Sequence, residues 1–163
     1  MSVVNVISVS GGKDSTAMWL VAIESGVNHI PVFADTGHEH PLTYDYLDYL
    51  ESRLGKITRV KADFTDRIAN KREYVKTKWR EEGVSETIIN DALEVLQPTG
   101  NPFLDMCIWK GRFPSTRARF CTQHLKREVI FDQVYLPIVK NGGGNCQLAG
   151  SKSGRKSCKI ETN

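Results

Sequence analysis

Six residues, Ser10-Gly11-Gly12-Lys13-Asp14-Ser15, stand between an apolar β-type run over residues 3–9 and a helical pattern from Thr16 to Glu24. Adjacent glycines lack Cβ atoms, so their N–H groups can converge on one anion, and the helix behind them adds about half a positive charge at its N-terminus. Lys13 brings a full charge. Ser10 and Ser15 can donate hydroxyls to phosphate oxygens, while Asp14 suits a magnesium ion or an anchor for the turn. The plain alternative is a Gly-Gly turn capped by Ser and Asp. The adjacency of the glycines excludes Gly-x-x-x-x-Gly-Lys-Ser/Thr, which needs four residues between them, and Gly-x-Gly-x-x-Gly is absent as well.

A chain of 163 residues reads as one domain with one core and one site. Its 22 basic and 19 acidic residues leave a net charge of +3, too small to argue for nucleic acid by itself. No apolar run approaches the roughly 18 to 20 residues of a membrane span, and no signal sequence is visible, so a cytoplasmic protein without membrane partners is expected. Cys107, Cys121, Cys146 and Cys158 lie far apart with no Cys-x-x-Cys, so free thiols are expected.

Further along, Met18, Leu20, Val21 and Ile23 occur at mixed helical spacing before Gly26, a C-cap residue. A short apolar strand, residues 29–34, runs into Asp35-Thr36-Gly37-His38-Glu39, a polar turn that can equally be an ordinary helix-capping loop. Two strands joined by one helix make a right-handed βαβ unit, whose ligands lie beyond the strands' carboxyl ends; residues 10–15 and 35–39 then share one rim. A helix over 41–54 closed by Gly55 and a strand over 57–61 follow, then a charged helical pair over about 65–97 separated near Gly83, expected as an insertion over the site. Residues 98–102 break that pair, residues 103–120 show no clean period, and 122–135 resumes as a helix. Beyond Lys140 a Gly-, Ser- and Lys-rich stretch predicts a tail, 141–163, that is disordered or aberrant and does not pack. His38 and His40 have the His-x-His spacing of zinc ligands, but no further ligands cluster nearby, so zinc is not expected.

Residues 110–127 hold six basic residues and no acid. Guanidinium forks and a helix N-terminus suit phosphate or sulfate, with a solvated basic loop as the alternative.

The Ser-Gly-Gly-x-Asp-Ser loop resembles that of the PP-loop (N-type) ATP pyrophosphatases. Joined by Asp35-Thr36-Gly37 and by Arg119-Phe120-Cys121-Thr122 with Leu125-Lys126, it looks like the phosphoadenosine phosphosulfate (PAPS) reductase-like family within that superfamily, particularly short bacterial and phage members. The resemblance covers about residues 3–140. It implies an α/β, Rossmann-like parallel sheet with helices on both faces, as in adenine nucleotide alpha hydrolases, and a nucleotide-binding domain over 1–140. It implies a nucleotide site of Ser8, Ser10, Gly11, Gly12, Lys13, Asp14, Ser15, Asp35, Thr36, Gly37, Arg119 and Lys126, with Lys13 and Asp14 catalytic and Asp14 and Asp35 holding magnesium.

Three functions follow from it. One is cleavage of ATP between the α and β phosphates, with adenylyl transfer to an acceptor in sulfur metabolism or nucleic-acid modification. Another is PAPS reduction with thioredoxin, and the third is a non-catalytic nucleotide-binding module of a larger assembly. The first is expected, because PAPS reductases usually alter the Gly-Gly-Lys portion and carry a C-terminal Glu-Cys-Gly-Ile-His-type thiol segment, whereas here the loop is intact and Cys158 lies in Lys-Ser-Cys-Lys. An iron–sulfur cluster near Cys121 is not expected, since related sulfonucleotide reductases use paired cysteines. Cys107 and Cys121 as sulfur carriers, a sulfur-transfer or nucleic-acid-modifying partner, and oligomerisation all stay open. Family members continue with a Ser-Trp-Gln-Gly-type segment, which residues 146–150 can encode after a one-nucleotide shift, so a frameshifted tail is expected; the gene's nucleotide sequence decides it.

Overall fold

The computed structural model describes residues 3–140 and the backbone of Cys146–Ala149. Strand β1 (Val4–Ser8) pairs in parallel with β2 (His29–Asp35) in the register Val6↔Ile30 and Ser8↔Val32. Helix α1 (Lys13–Glu24) connects them, and α2 (Pro41–Leu54) leads from β2 to β3 (Thr58–Lys61). The sheet order is β3-β2-β1-β4. This is the expected α/β, Rossmann-like arrangement of strands with crossover helices.

Strand β4 (Cys146–Ala149) is one departure: its backbone pairs in parallel with β1 in the register Val4↔Cys146 and Ile7↔Ala149. The Gly-rich composition that predicted an unpacked tail did not register a short run able to use the open edge of β1. The remainder of 141–163, and with it the frameshift expectation, lies outside the described residues.

The single expected core is also corrected, because the chain divides into two compact units. Among the described residues, one comprises 3–35, 39–60, 127–140 and 146–149; the other comprises 36–38 and 61–126. The second is wider than the expected 65–97 insertion.

In the first unit, Ile7, Val9, Trp19, Phe33, Leu47, Leu50 and Ile57 form the core. Trp19 is 1 % exposed, and its indole Nε1–H donates to His29 Nε2 at 3.3 Å, so the large ring is buried without orphaning its donor. The buried stripe of α1 is Ser15, Thr16, Trp19 and Ala22, a 3.6-residue repeat. The apolar Leu20, Val21 and Ile23 picked out in the sequence are exposed instead. Helix α2 starts at Pro41 behind His40, whose Nδ1 accepts from the Leu42 amide at 3.2 Å. Residue 40 is thereby the cap of α2.

In the second unit, α3 (Thr65–Tyr74) passes into a π-helical turn, Val75–Trp79, and α4 (Glu86–Val95) begins at Ser85, whose Oγ accepts from the Ile88 amide. Arg72 NH1 donates to the carbonyls of Leu93 (2.5 Å) and Leu96 (2.7 Å), satisfying acceptors that the end of α4 leaves open. The stretch without a clear period contains α5 (Pro102–Lys110). Its start was written in Asn101-Pro102: the Asn101 Oδ1 accepts from the amides of Phe103 (3.0 Å) and Leu104 (3.2 Å), and proline suits the first helical position. Phe64, Ile68, Val75, Ile89, Met106 and Leu125 pack the core of this unit. The chain continues with the π-helical segment Thr122–Arg127, α6 (Glu128–Ile130), a further widened turn at Phe131–Tyr135, and α7 (Leu136–Lys140). Pro137 has no amide to donate, and the widened turn stands directly before it.

The α2–β3 connection depends on one carboxylate. Glu51 accepts from the Ile57 amide at 2.9 Å and from Arg59 at 2.5 Å, and Arg59 also bonds Asp48. The Ile57 amide first, then Arg59, hold the Glu51 carboxyl below its ordinary value of 4.5. A depressed folded-state pKa contributes stability above the unfolded value and loses it as the pH falls through the folded one. Thermal melts of wild type and Glu51→Gln should therefore differ near neutral pH and converge as the pH drops below 4.5; parallel curves across that range would remove this role.

Candidate nucleotide site

Beyond β1, the Val9 amide still bonds the Val32 carbonyl at 2.8 Å, and the chain then leaves the sheet at Ser10. Gly11 has φ +75°, and a Cβ there would lie 2.9 Å from Thr43 Cγ2. A side chain at this position would be strained and would collide with α2 as well. Gly12 returns to extended backbone and caps α1.

The turn is held by one hydroxyl. Ser15 Oγ donates to the Gly12 carbonyl at 2.8 Å and accepts from the Ser10 amide at 3.1 Å and the Ser10 hydroxyl at 3.3 Å. Ser15 is buried. Its single proton is donated within the loop, where it shapes the turn. Thr16 adds a second tie, its amide and Oγ1 both reaching the Gly12 carbonyl at 3.1 Å. Gly12, Lys13 and Asp14 are exposed, and neither the Lys13 nor the Asp14 side chain makes a hydrogen bond or ion pair among the described residues. These are the first residues of a helix whose leading N–H groups have no intrahelical acceptor. Ser8 stands at the end of β1, half-buried.

Asp35 ends β2, on the strand adjacent to β1. Its Oδ1 accepts from the Tyr44 hydroxyl at 2.8 Å. Burial, then the hydrogen bond and negative charge of Asp35, push the Tyr44 phenol up to about 12, so it stays a donor over the whole working pH range. This fixes the carboxylate at the sheet's rim. An acidic side chain exposed at the helix start and another at the end of β2 are oxygen donors of the kind a hard divalent cation takes.

In the second unit, the Asp-Thr-Gly motif continues as a built turn. The Thr36 carbonyl accepts from the Phe103 amide at 3.0 Å, and the Gly37 carbonyl accepts from Asn101 Nδ2 at 2.6 Å. Gly37 has φ +70°, and a Cβ would approach Pro102 Cδ to 2.6 Å. The imidazole of His38 stacks on Phe103 with centroids 4.9 Å apart, again not the position of a metal ligand in a cluster. Among the described residues no group of three or more His, Cys, Asp or Glu side chains could hold a metal. Thr36, His38, Phe103, Cys121, Thr122, Leu125 and Lys126 line a cavity of about 250 Å³. Sequence reasoning named Thr36 and Lys126 but did not place Cys121, Phe103 and Leu125 beside them, because nothing in the 103–120 pattern indicated that α5 carries Phe103 to that wall. Arg119 is elsewhere: it is exposed, and its Nε donates to the Thr116 carbonyl at 3.1 Å. Cys107 is buried, and burial, then its neighbour Cys121, push its thiol up.

The family model for the phosphoadenosine phosphosulfate reductase domain matches residues 4–95, which take in β1, the loop, Asp35-Thr36-Gly37 and the helices through α4. The chain belongs to the PAPS reductase-like family of the PP-loop superfamily. Two phage proteins are similar to it, both bearing uncharacterised names. A 37.8 kDa protein in the gpa 5′ region of Escherichia phage 186 is 55 % identical over 148 residues, covering 85 % of this chain and 44 % of that protein. The nin region protein ORF290 of Escherichia phage lambda is 29 % identical over 127 residues, covering 76 % of this chain and 40 % of that one. The chain thus spans less than half the length of either relative. No solved structure matches. No helix among the described residues is long and apolar enough to cross a membrane. The PAPS reductase-like assignment rests on the region holding the glycine turn, and it makes the chain a nucleotide-binding family member.

Because the Ser15 hydroxyl bonds only Ser10 and Gly12 among the described residues, Ser15→Ala should loosen the turn without unseating α1. Amide exchange at Ser10 to Lys13 should accelerate, with a stability loss of about 1 kcal/mol in denaturant melts. Unchanged exchange at these amides would show that the glycines hold the turn unaided.

Proposed function

We propose that this domain binds ATP on the Ser10–Ser15 turn and cleaves it between the α and β phosphates, adenylylating an acceptor in sulfur metabolism or nucleic-acid modification. The observation that carries the reading is the turn itself: a positive-φ glycine, a helix start behind it, and Lys13 and Asp14 exposed with no partner among the described residues. In the reaction a nucleophilic atom of the acceptor attacks the α phosphorus, the bond from that phosphorus to the bridging oxygen breaks, and pyrophosphate leaves with the electron pair. Lys13 neutralises charge that builds on the departing pyrophosphate, and the loop amides hold the phosphates in line. Asp14 and Asp35 would hold magnesium, which supplies further charge neutralisation when bound. The protein itself contributes no nucleophile.

PAPS reduction is the second reading, favoured by the family description. There a thiol attacks the sulfonate and a dithiol such as thioredoxin supplies the electrons, giving sulfite and adenosine 3′,5′-bisphosphate. Cys121, at the wall of the 250 Å³ cavity, is the less buried of the two thiols among the described residues. A non-catalytic nucleotide-binding module is the third, and ATP binding without pyrophosphate release would support it.

Lys13→Ala should lower the rate of pyrophosphate release from ATP by about 10²–10³ while calorimetry still detects nucleotide. Release at the wild-type rate would overturn the mechanism. Sulfite formed from PAPS and reduced thioredoxin, and lost in Cys121→Ser, would move the assignment to the reductase.

A further inference from the structure

The second unit gathers cations on an aromatic framework. The Trp109 ring, near the end of α5, meets Lys110 Nζ at 4.0 Å and Arg67 Cζ at 4.7 Å from its centroid. The Phe120 ring meets Arg112 Cζ at 5.5 Å and Lys110 Nζ at 5.9 Å. Lys71 Nζ donates to the Trp109 carbonyl at 2.7 Å. Arg67, Asn70, Lys71, Tyr74, Trp109 and Lys110 line an open groove of about 480 Å³ with no carboxylate among them. The chain that follows, 111–126, adds Arg112, Arg117, Arg119 and Lys126 and contains no Asp or Glu.

The way these cations are held distinguishes them from others in the same unit. Lys78 pairs with Glu81, Arg80 with Glu86 and Lys76 with Glu73, so those charges are compensated. Lys110 and Arg112 make no ion pair among the described residues and rest on ring faces instead. A ring's quadrupole positions a cation but carries no net charge, so the positive potential stays available to an outside anion. The groove is open rather than a closed hydrogen-bonding fork, and Tyr74 presents a ring that is 53 % exposed at its edge. Basic groups along an open groove beside an accessible aromatic face are what a phosphodiester chain with unstacked bases requires.

We propose that this groove docks the backbone of a single strand of nucleic acid, with Lys110 and Arg112 on phosphates and Tyr74 under a base. The groove is lined by other residues than the glycine turn, and its occupancy is read without ATP, so its failure and the failure of the adenylylation reading are distinguishable.

The test is fluorescence anisotropy of end-labelled single-stranded DNA and RNA of about 12 nucleotides, titrated at several salt concentrations. Wild type should bind, with affinity falling as salt rises. The double variant Lys110→Gln/Arg112→Gln should lower the slope of log K against log salt by about 1.4, two phosphate contacts at roughly 0.7 each. Tyr74→Ala should weaken binding about tenfold with the slope unchanged. Lys110→Arg/Arg112→Lys should restore binding, and Lys76→Gln/Lys78→Gln, which removes paired charges, should bind as wild type; melting curves confirm that each variant folds. Preference for DNA or for RNA identifies the source of the strand, and equal binding assigns recognition to the backbone alone. The proposal is overturned if neither strand binds at low salt, if the Lys76/Lys78 control loses as much as the Lys110/Arg112 pair, or if pyrophosphate displaces the strand at equal phosphate concentration, which would mark a small-anion site.

Discussion

The hydroxyl of Ser15 is the smallest group on which the first unit's chemistry depends. It joins the Ser10 amide to the Gly12 carbonyl across the turn, from a buried position on the first turn of α1. That proton and lone pair are spent on the backbone, while Gly12, Lys13 and Asp14 beside it stay exposed. In this arrangement the serine acts as a brace, tying the Ser10 amide to the Gly12 carbonyl beside the positive-φ Gly11. Thr16, bonded to the same carbonyl, supports the same geometry from the next residue.

The Asp35-Thr36-Gly37 motif divides its labour in a related way. Its carboxylate is fixed by the Tyr44 phenol, a donor that burial and the carboxylate's own charge keep protonated. Its two following carbonyls are taken by the Phe103 amide and the Asn101 side chain at the start of α5. Gly37 is required for shape, since Pro102 occupies the place of any Cβ. Three adjacent residues thus use their backbone and side chains to build the turn, and Thr36 also lines the 250 Å³ cavity. The histidines that follow are used similarly, His38 as a stacking face for Phe103 and His40 as the cap of α2.

How much of this was legible in the sequence depends on where the local signals lay. β1, α1, β2 and α2 could be read because punctuation and pattern agree: glycines at 11, 12, 26 and 55 and a proline at 41 bound runs of the right period. The loop's chemistry was legible for the same reason, since its six residues are contiguous. The inner face of α1 was not, because Ser15 and Thr16 are polar residues buried by bonding to Gly12, a reason hydropathy does not encode. α5 was missed although Asn101-Pro102 announces it, because its residues bury on more than one side and so show no stripe. β4 was missed because a four-residue strand gains its stability from an existing edge rather than from its own composition. The division into two units rests on contacts among distant residues and leaves no local mark.

The same distinction governs charge. A net +3 averages over pairs such as Arg80–Glu86 and over cations that have no acid, and these two populations behave differently toward an anion. A cation matched to a carboxylate has little left to offer, and at an exposed position that match is itself worth little. A cation laid on an indole keeps its charge and loses only its freedom to move, so it reaches a phosphate already oriented. Lys110 is of that second kind, with its ammonium 4.0 Å from the Trp109 centroid. What distinguishes Lys110 and Arg112 is therefore less the number of basic residues around them than the two rings they rest on, Trp109 and Phe120. In a run of lysines and arginines without those rings, the side chains would be solvated and mobile, and ordering them on a ligand would cost what the rings here have already supplied.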